Sequence, residues 1–470
     1  MLLLNVELIE TDMKRIVQFL LPFILIWFTG AETLWSQNNS EELNQRVDEI
    51  FAEYDSSSVP GCAVSIFQDG ESILTKGYGI ANLDYGIENS DSTRFYMASV
   101  SKHITASAAE LLIIRGELNE ADFISDYVEE WPAWASEVQV QHLFNHTSGL
   151  PDIYGLMRIG GLDINDVMDL EDYMEVIKKG EELMFEPGSD YSYSNSGYTV
   201  LAYLVQEISG SSFPEFVENE FFEPFGMNDS HFHDDRTRII PNRAISYQIS
   251  DGMIRRSYPG NFQGVGGGGL YTTHQDLEKW EQFWYGNLNW EGGISKPEAD
   301  ELKQNLIAPT YVAGEISEYR KGLRVSTRKG VETVRHGGSF YGFKTNFKRY
   351  PETGTSMVTT CNRGDADPGA LNDQIADYLL QNEFEDYLSE YSGRYINNEL
   401  PAEYMLTVEE GNLHLERRLS PNGIMEEVET DVWEAGSWDF EFFRNGSGEI
   451  TGFLVTTGRA ENVEFLKAAE

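Results

Sequence analysis

Apolar positions in residues 39–54 recur at helical spacing, with Leu43, Val47, Ile50 and Phe51 on one face, which predicts an amphipathic helix. From Cys62 to Ile80 the pattern turns strand-like, broken by the turn Gln68-Asp69-Gly70. A helix is predicted from Ser99 to about Ile114, stopped by Gly116. A long helical and loop region follows, including a helix from Tyr198 to Ile208 ended by Gly210. Strand runs return from Leu323 to Cys361, separated by Arg328-Lys329-Gly330 and Pro351-Glu352-Thr353-Gly354, and a helix from Ala370 to Leu380 closes the region. Strands from both ends of the region around a helical insert predict one α/β domain with an antiparallel sheet. After Tyr387 period-2 segments recur at Tyr404–Glu409, Leu413–Arg417, Trp438–Phe443 and Gly452–Thr456, predicting a small all-β domain, a barrel or a sandwich.

The N-terminus adds an address. Met13-Lys14-Arg15 precedes an apolar run from Ile16 to Phe28. A membrane-spanning helix needs ~20 such residues, so the run reads as a secretory signal rather than an anchor. Cleavage is expected after Ala31 or Ser36, with Ser36 preferred because a polar, acidic stretch begins at Gln37. Met13 is an alternative start, and an uncleaved anchor is the alternative to a signal. The expected organisation is a signal over 1–36, the α/β domain over 37–386 and the β domain over 387–470, secreted or periplasmic with no stable membrane insertion after cleavage.

Composition narrows the partners. The chain has 470 residues, 41% hydrophobic and 13% aromatic, as a folded protein does. Its net charge of −44, from 78 acidic and 34 basic residues, argues against nucleic acid and anionic lipid and reads as a solvated acidic surface. Cys62 and Cys361 lie in strand-like runs and read as two free buried thiols, although an oxidising compartment permits a bridge.

Candidate chemistry lies in three elements. The first is Ser99-Val100-Ser101-Lys102, where a serine and a lysine one helical turn apart share a face. A neutral lysine amine can take the hydroxyl proton and so activate the serine. Ser326-Thr327-Arg328-Lys329 matches the same spacing but sits at a glycine-closed turn between strands, without the helix that aims the pair. The second element is Tyr191-Ser192-Tyr193-Ser194-Asn195, which offers a phenol to share the lysine proton and an amide to orient lysine and substrate. Tyr285-Gly286-Asn287 and Tyr395-Ile396-Asn397 are chance copies of it. The third is His336-Gly337-Gly338-Ser339, at the edge of a strand Val331–Arg335, where two glycines let a substrate backbone come close.

In this order, the three elements resemble the serine β-lactamase-like superfamily, in its class C and peptidase S12 branch. That branch includes D-aminopeptidases, D,D-peptidases, related esterases and class C β-lactamases. The resemblance also rests on Gln141-His142-Leu143-Phe144-Asn145-His146-Thr147-Ser148-Gly149-Leu150-Pro151 and on the glycine run 264–269 leading into Leu270-Tyr271-Thr272-Thr273, and it spans roughly residues 40–382. It implies a β-lactamase/transpeptidase-like α/β fold: an antiparallel sheet flanked by helices, with a helical subdomain. Ser99 is implied as the acylated nucleophile, Lys102 as its base, and Tyr193 as partner base and acid toward the leaving group. Asn195, His336, Gly338 and Ser339 are implied in substrate binding, with the backbone N–H groups of Ser99 and Ser339 forming an oxyanion hole. Which of Lys102 and Tyr193 takes the first proton stays open.

The expected activity is hydrolysis through an acyl-enzyme, on a small-molecule or peptide substrate, with no cofactor and no metal. The chain departs from the β-lactamase pattern at His336, where class C enzymes carry the lysine of Lys-Thr-Gly. A histidine offers only a partial charge to a substrate carboxylate near neutral pH. That points toward small amides, D-peptides or esters rather than antibiotics. A carboxylesterase or a true β-lactamase of the same fold are the alternatives among enzymes, and a non-catalytic binding protein is the alternative outside them. No feature of the sequence reports an oligomeric state.

Three other patterns are set aside. The run Gly264-Val265-Gly266-Gly267-Gly268-Gly269 matches a dinucleotide fingerprint but follows no apolar strand, so it reads as a loop near the site. His231-Phe232-His233-Asp234-Asp235 reads as a short polar loop rather than a metal site. His142 and His146 read as structural histidines.

Overall fold

A computed structural model of the chain describes residues 40–127, 130–257, 261–418 and 420–468. The expected secretion signal lies outside the described residues. The chain divides into two units, Met1–Glu53 and Tyr54–Glu470. In the first, residues 40–50 form a helix, α1.

The second unit is built on a six-stranded antiparallel sheet. Its strands are β1 (Cys62–Gln68), β2 (Glu71–Tyr78), β3 (Arg324–Arg328), β4 (Val331–Phe340), β5 (Phe343–Tyr350) and β6 (Thr355–Cys361). They lie in the order β3-β4-β5-β6-β1-β2, so early and late parts of the chain meet where β1 pairs with β6. The β1–β2 turn uses Asp69 and Gly70, both at positive φ, which is the hairpin geometry that Asp-Gly favours. β4 runs five residues beyond the strand end expected at Arg335 and carries His336 to Phe340 within it.

The register of β1 on β6 sets Cys62 directly opposite Cys361, and the two form a disulfide. This corrects the expectation of two free thiols. Directly opposed residues of an antiparallel pair share a face, and that adjacency is invisible across a sequence separation of 299.

Helix α2 (Ser101–Ile114) is buried continuously from Ser101 to Leu112, mostly small and apolar residues but with Lys102, His103 and Glu110 buried among them. It packs against α4 (Asn195–Ser209) and α6 (Lys296–Ile307). Between these in the chain lie α3 (Ile153–Gly160) and α5 (His274–Tyr285), and α7 (Pro368–Leu379) covers β5 and β6. His231 and Phe232 form a buried strand on Leu270–Thr272, and His233 beside them is buried too, which corrects the reading of a polar loop. Two buried aromatic or apolar partners, Phe232 and Tyr271, outweigh the polar composition of the segment.

A helix not foreseen in the sequence, α8 (Gln381–Ser389), leads into a closed eight-stranded barrel. Its strands are β7 (Gly393–Ile396), β8 (Glu403–Glu409), β9 (Asn412–Arg417), β10 (Ser420–Glu429), β11 (Val432–Ala435), β12 (Trp438–Arg444), β13 (Ile450–Thr457) and β14 (Ala460–Lys467). They follow one another around the barrel, and β7 closes on β14. Tyr395, Trp433, Phe440, Phe442, Phe453 and Phe465 are buried in it. The barrel docks on the β3–β4 turn. Lys329 donates from its backbone N–H to Glu427 Oε2 at 2.8 Å, and from Nζ to Asp377 Oδ1, the Gly411 carbonyl and Asn412 Oδ1 at 2.7, 2.6 and 3.1 Å. The second Ser-x-x-Lys match therefore ends in a lysine that joins the two domains.

Candidate active site

The turn that presents Ser99 is held from two sides. Met97 N–H donates to the Leu270 carbonyl at 2.9 Å, and Thr345 Oγ1 on β5 donates to the Met97 carbonyl at 3.0 Å. Ala98 takes a left-handed φ of 48°, which is uncommon for a residue with a Cβ and marks a turn fixed by its surroundings. Ser99 sits in the short turn Ala98–Val100, and α2 begins two residues later.

Lys102 is one helical turn on and fully buried. Its Nζ donates to Ser99 Oγ at 3.2 Å, to Asn195 Oδ1 at 2.8 Å and to the Gly267 carbonyl at 2.6 Å. All three acceptors are neutral. Burial lowers the amine from its ordinary 10.5 to about 7, opposed by the nearby Asp152 carboxylate. A large share of the amine is then neutral at physiological pH, the form that can accept a proton from the serine. The glycine run expected near the site lies against it: its Gly267 carbonyl holds Lys102, and an added Cβ at Gly266 would meet the Tyr198 carbonyl at 2.3 Å.

Tyr193 places its ring centroid 4.9 Å from Lys102 Nζ. Burial raises its phenol well above the ordinary value, with a hydrogen bond to Ser99 acting in the opposite direction. The ring is packed by His146, centroid to centroid at 4.2 Å, and by Tyr319 at 6.1 Å. His146 accepts the Ser194 backbone N–H at Nδ1 (3.2 Å), so it is a structural histidine placed beside the site. His142 accepts the Gln139 backbone N–H at 3.1 Å, which also serves local structure.

Asn195 opens α4 and is oriented by Asp152, which sequence reasoning missed. Oδ2 of Asp152 accepts the backbone N–H and the side-chain amide of Asn195. Oδ1 caps α3, accepting from Tyr154 and Gly155 at 3.0 and 3.3 Å. An aspartate ahead of an apolar helical stretch is a readable cap signal; its reach to Asn195 is not.

On β4 the side chain of His336 is buried. Nδ1 lies 2.7 Å from the Gly337 carbonyl and Nε2 lies 3.0 Å from Tyr319 Oη. Burial, reinforced by Lys102 and Arg324, lowers the ring to about 3. His336 is therefore uncharged at neutral pH, which corrects the expectation of a partial charge there. Gly338 is where the strand meets the nucleophile turn: an added Cβ would lie 2.2 Å from Thr345 Oγ1 and 2.5 Å from the Met97 carbonyl. Gly337 faces open space, with nothing nearer than 3.8 Å to an added Cβ. Ser339 is exposed and accepts at Oγ from Lys344 Nζ on β5, at 2.7 Å.

These groups border a cleft of about 680 Å³. It is lined by Ser99 and Tyr193, by Gly337 to Ser339, by Lys344 to Asn346 and by Asp365 to Gly369. The structure thus brings together Ser99, Lys102, Tyr193, Asn195, Gly338 and Ser339, and sets the His336 side chain behind the wall. The arrangement can deprotonate a serine hydroxyl beside an open cleft.

A family model described as Beta-lactamase matches residues 45–380. A D-aminopeptidase of Gluconobacter oxydans (strain 621H) is 27% identical over 305 residues, covering 64% of this chain and 56% of the relative. A penicillin-binding protein of Bacillus subtilis (strain 168) is 27% identical over 314 residues, covering 63% of this chain and 66% of the relative. The chain thus spans between about half and two thirds of the length of these relatives. Among solved structures, the octameric penicillin-binding protein homologue from Pyrococcus abyssi aligns with a TM-score of 0.61 at 20% identity, over 91% of this chain and 99% of that one.

Proposed function

Because the chain belongs to the beta-lactamase family, we propose that it is a serine hydrolase that works through an acyl-enzyme on small amide, D-peptide or ester substrates. The observation that carries this is Lys102: fully buried, its amine brought to about 7 and held 3.2 Å from Ser99 Oγ. The resemblance to a D-aminopeptidase supports amide and D-peptide substrates.

In the proposed reaction, neutral Lys102 takes the Ser99 proton as Oγ bonds to the substrate carbonyl carbon. Lys102 is the first base because burial keeps the Tyr193 phenol protonated while it neutralises the lysine. The carbonyl oxygen becomes an oxyanion, received by the backbone N–H groups of Ser99 and Ser339. As the intermediate collapses, the bond to the leaving nitrogen or oxygen breaks and Tyr193 supplies its proton. The lysine ammonium returns a proton to the phenolate, and water then releases the acyl group by the reverse relay. Asn195 holds Lys102 and contacts the substrate, Gly338 and Ser339 offer it a backbone edge, and His336 supports that edge through Tyr319.

A secreted or periplasmic location fits the reading, since the disulfide between Cys62 and Cys361 calls for an oxidising compartment. Among the described residues no helix is long and apolar enough to cross a membrane. The proposal is tested by incubating the protein with a fluorophosphonate and with a labelled penicillin, then mapping adducts by mass spectrometry. An adduct on Ser99 is expected with at least one probe, and no adduct with either would sink the acyl-enzyme.

A further inference from the structure

With His336 neutral and buried, the cleft takes no positive charge from the position where class C enzymes carry a lysine. It does take one from the next strand. Lys344 lines the cleft on β5, directly across from Ser339. Its Nζ donates to Ser339 Oγ at 2.7 Å, and among the described residues no carboxylate is paired with it. Lys321, Lys329 and Lys348 each hold a carboxylate. The half-buried Lys178 and Lys279 also show no ion pair among the described residues, but neither lines the cleft, so what sets Lys344 apart is its place beside Ser99.

The two carboxylates in the same cleft are occupied elsewhere. Asp365 is matched by Arg363 through two hydrogen bonds of 2.7 Å. Asp367 caps α7, its Oδ1 accepting the Ala370 N–H at 3.0 Å. An ammonium group has three donors, and Ser339 uses one. The lysine also fixes the Ser339 oxygen as acceptor, which leaves the serine O–H free to point into the cleft. Lysine and serine together then present charged and neutral donors to one anion, beside the strand that borders Ser99.

We propose that Lys344 is a specificity residue that binds a carboxylate of the substrate. The substrate class is then an amide or ester bearing a free carboxylate within a few bonds of the scissile carbonyl. This rests on the acyl-enzyme reading of the same site, which the test keeps separate.

Two matched ester pairs place the charge on either half of the substrate. Mono-p-nitrophenyl glutarate against p-nitrophenyl acetate puts it on the acyl half, and 4-acetoxybenzoate against phenyl acetate puts it on the leaving half. The ratio of kcat/KM for the charged over the neutral member is measured in the parent, Lys344→Met and Lys344→Arg. In one pair the ratio is expected to fall by about tenfold or more in Lys344→Met and to recover in Lys344→Arg, as loss of a charged hydrogen bond requires. The responding pair tells which half carries the carboxylate. Ratios unchanged in both pairs overturn the role of Lys344 while leaving the acyl-enzyme intact. A protein that cleaves none of the esters and takes no fluorophosphonate on Ser99 overturns both.

Discussion

Oδ2 of Asp152 accepts the backbone N–H of Asn195 at 2.8 Å and its side-chain amide at 2.7 Å, so one oxygen fixes both the start of α4 and the direction of the amide. The amide oxygen is thereby turned to Lys102. Asp152 also favours the charged lysine electrostatically. Asp152→Asn should lower kcat, because the amide loses its orientation. It should also move the acidic limb of kcat/KM to lower pH, because the lysine loses a stabilising negative charge. A variant that lost activity with its pH profile unmoved would show Asp152 to be a helix cap alone.

Lys102 sets the pH dependence of both activity and stability. The neutral amine is the active form, so kcat/KM should rise with pH through about 7. Its pKa is depressed in the folded state from 10.5 to about 7, so between those values the unfolded chain holds the extra proton and stability climbs with pH. Below that window the buried ammonium is a standing cost. Lys102→Met should cut kcat by roughly 10²–10⁴-fold and raise Tm by roughly 2–5 °C, measured by steady-state kinetics and calorimetry. A lower Tm would contradict the depressed value.

Gly338 and Gly337 should respond differently to the same methyl group. Gly338→Ala forces a Cβ into Thr345 and the Met97 carbonyl and pushes β4 away from the Ser99 turn. It should lose most of its turnover and be destabilised by roughly 1–3 kcal/mol, as overpacked sites are. Gly337→Ala has space and should fold normally, with its effect confined to KM. Equal losses in the two variants would refute the close approach at Gly338.

Lys329→Ala should loosen the barrel. Removing Nζ leaves the Gly411 carbonyl and Asn412 without the lysine, while Asp377 keeps Arg328. A cost of about 1–3 kcal/mol is expected, because a buried charged hydrogen bond is lost but its carboxylate stays paired. Calorimetry should show the barrel melting ahead of the larger domain, and limited proteolysis should cut between α8 and β7. A single unshifted transition would argue that the interface does not depend on this side chain.

What could be read from the sequence follows the range of each interaction. Ser99 and Lys102 are one helical turn apart, so their pairing is local and visible. Tyr193 and Asn195 became legible only alongside the first pair, because each short pattern recurs by chance. The eight-stranded barrel showed as alternation, although its closure from β7 to β14 did not. Long-range partners left no local trace. Asp152 reaches Asn195 across 43 positions, Lys329 reaches Asn412 across 83, and Cys62 reaches Cys361 across 299. The charge expected of His336 failed for a related reason. Burial is set by Tyr319, Tyr193 and the sheet, none of which the motif contains.

The disulfide gives the chain the topology of a lariat. A bond from Cys62 to Cys361 closes a covalent ring of backbone, and Ser99, Lys102, Tyr193, Asn195, His336 and Ser339 all fall inside it. The N-terminal helix and the barrel are tails outside the ring. A single proteolytic nick anywhere in the long helical insert would open the ring but sever nothing from the site, since both fragments stay joined covalently through Cys62 and Cys361. In an environment rich in proteases, the loops that shape the cleft can then be cut once while the nucleophile and its wall remain one molecule, until a reductant separates them.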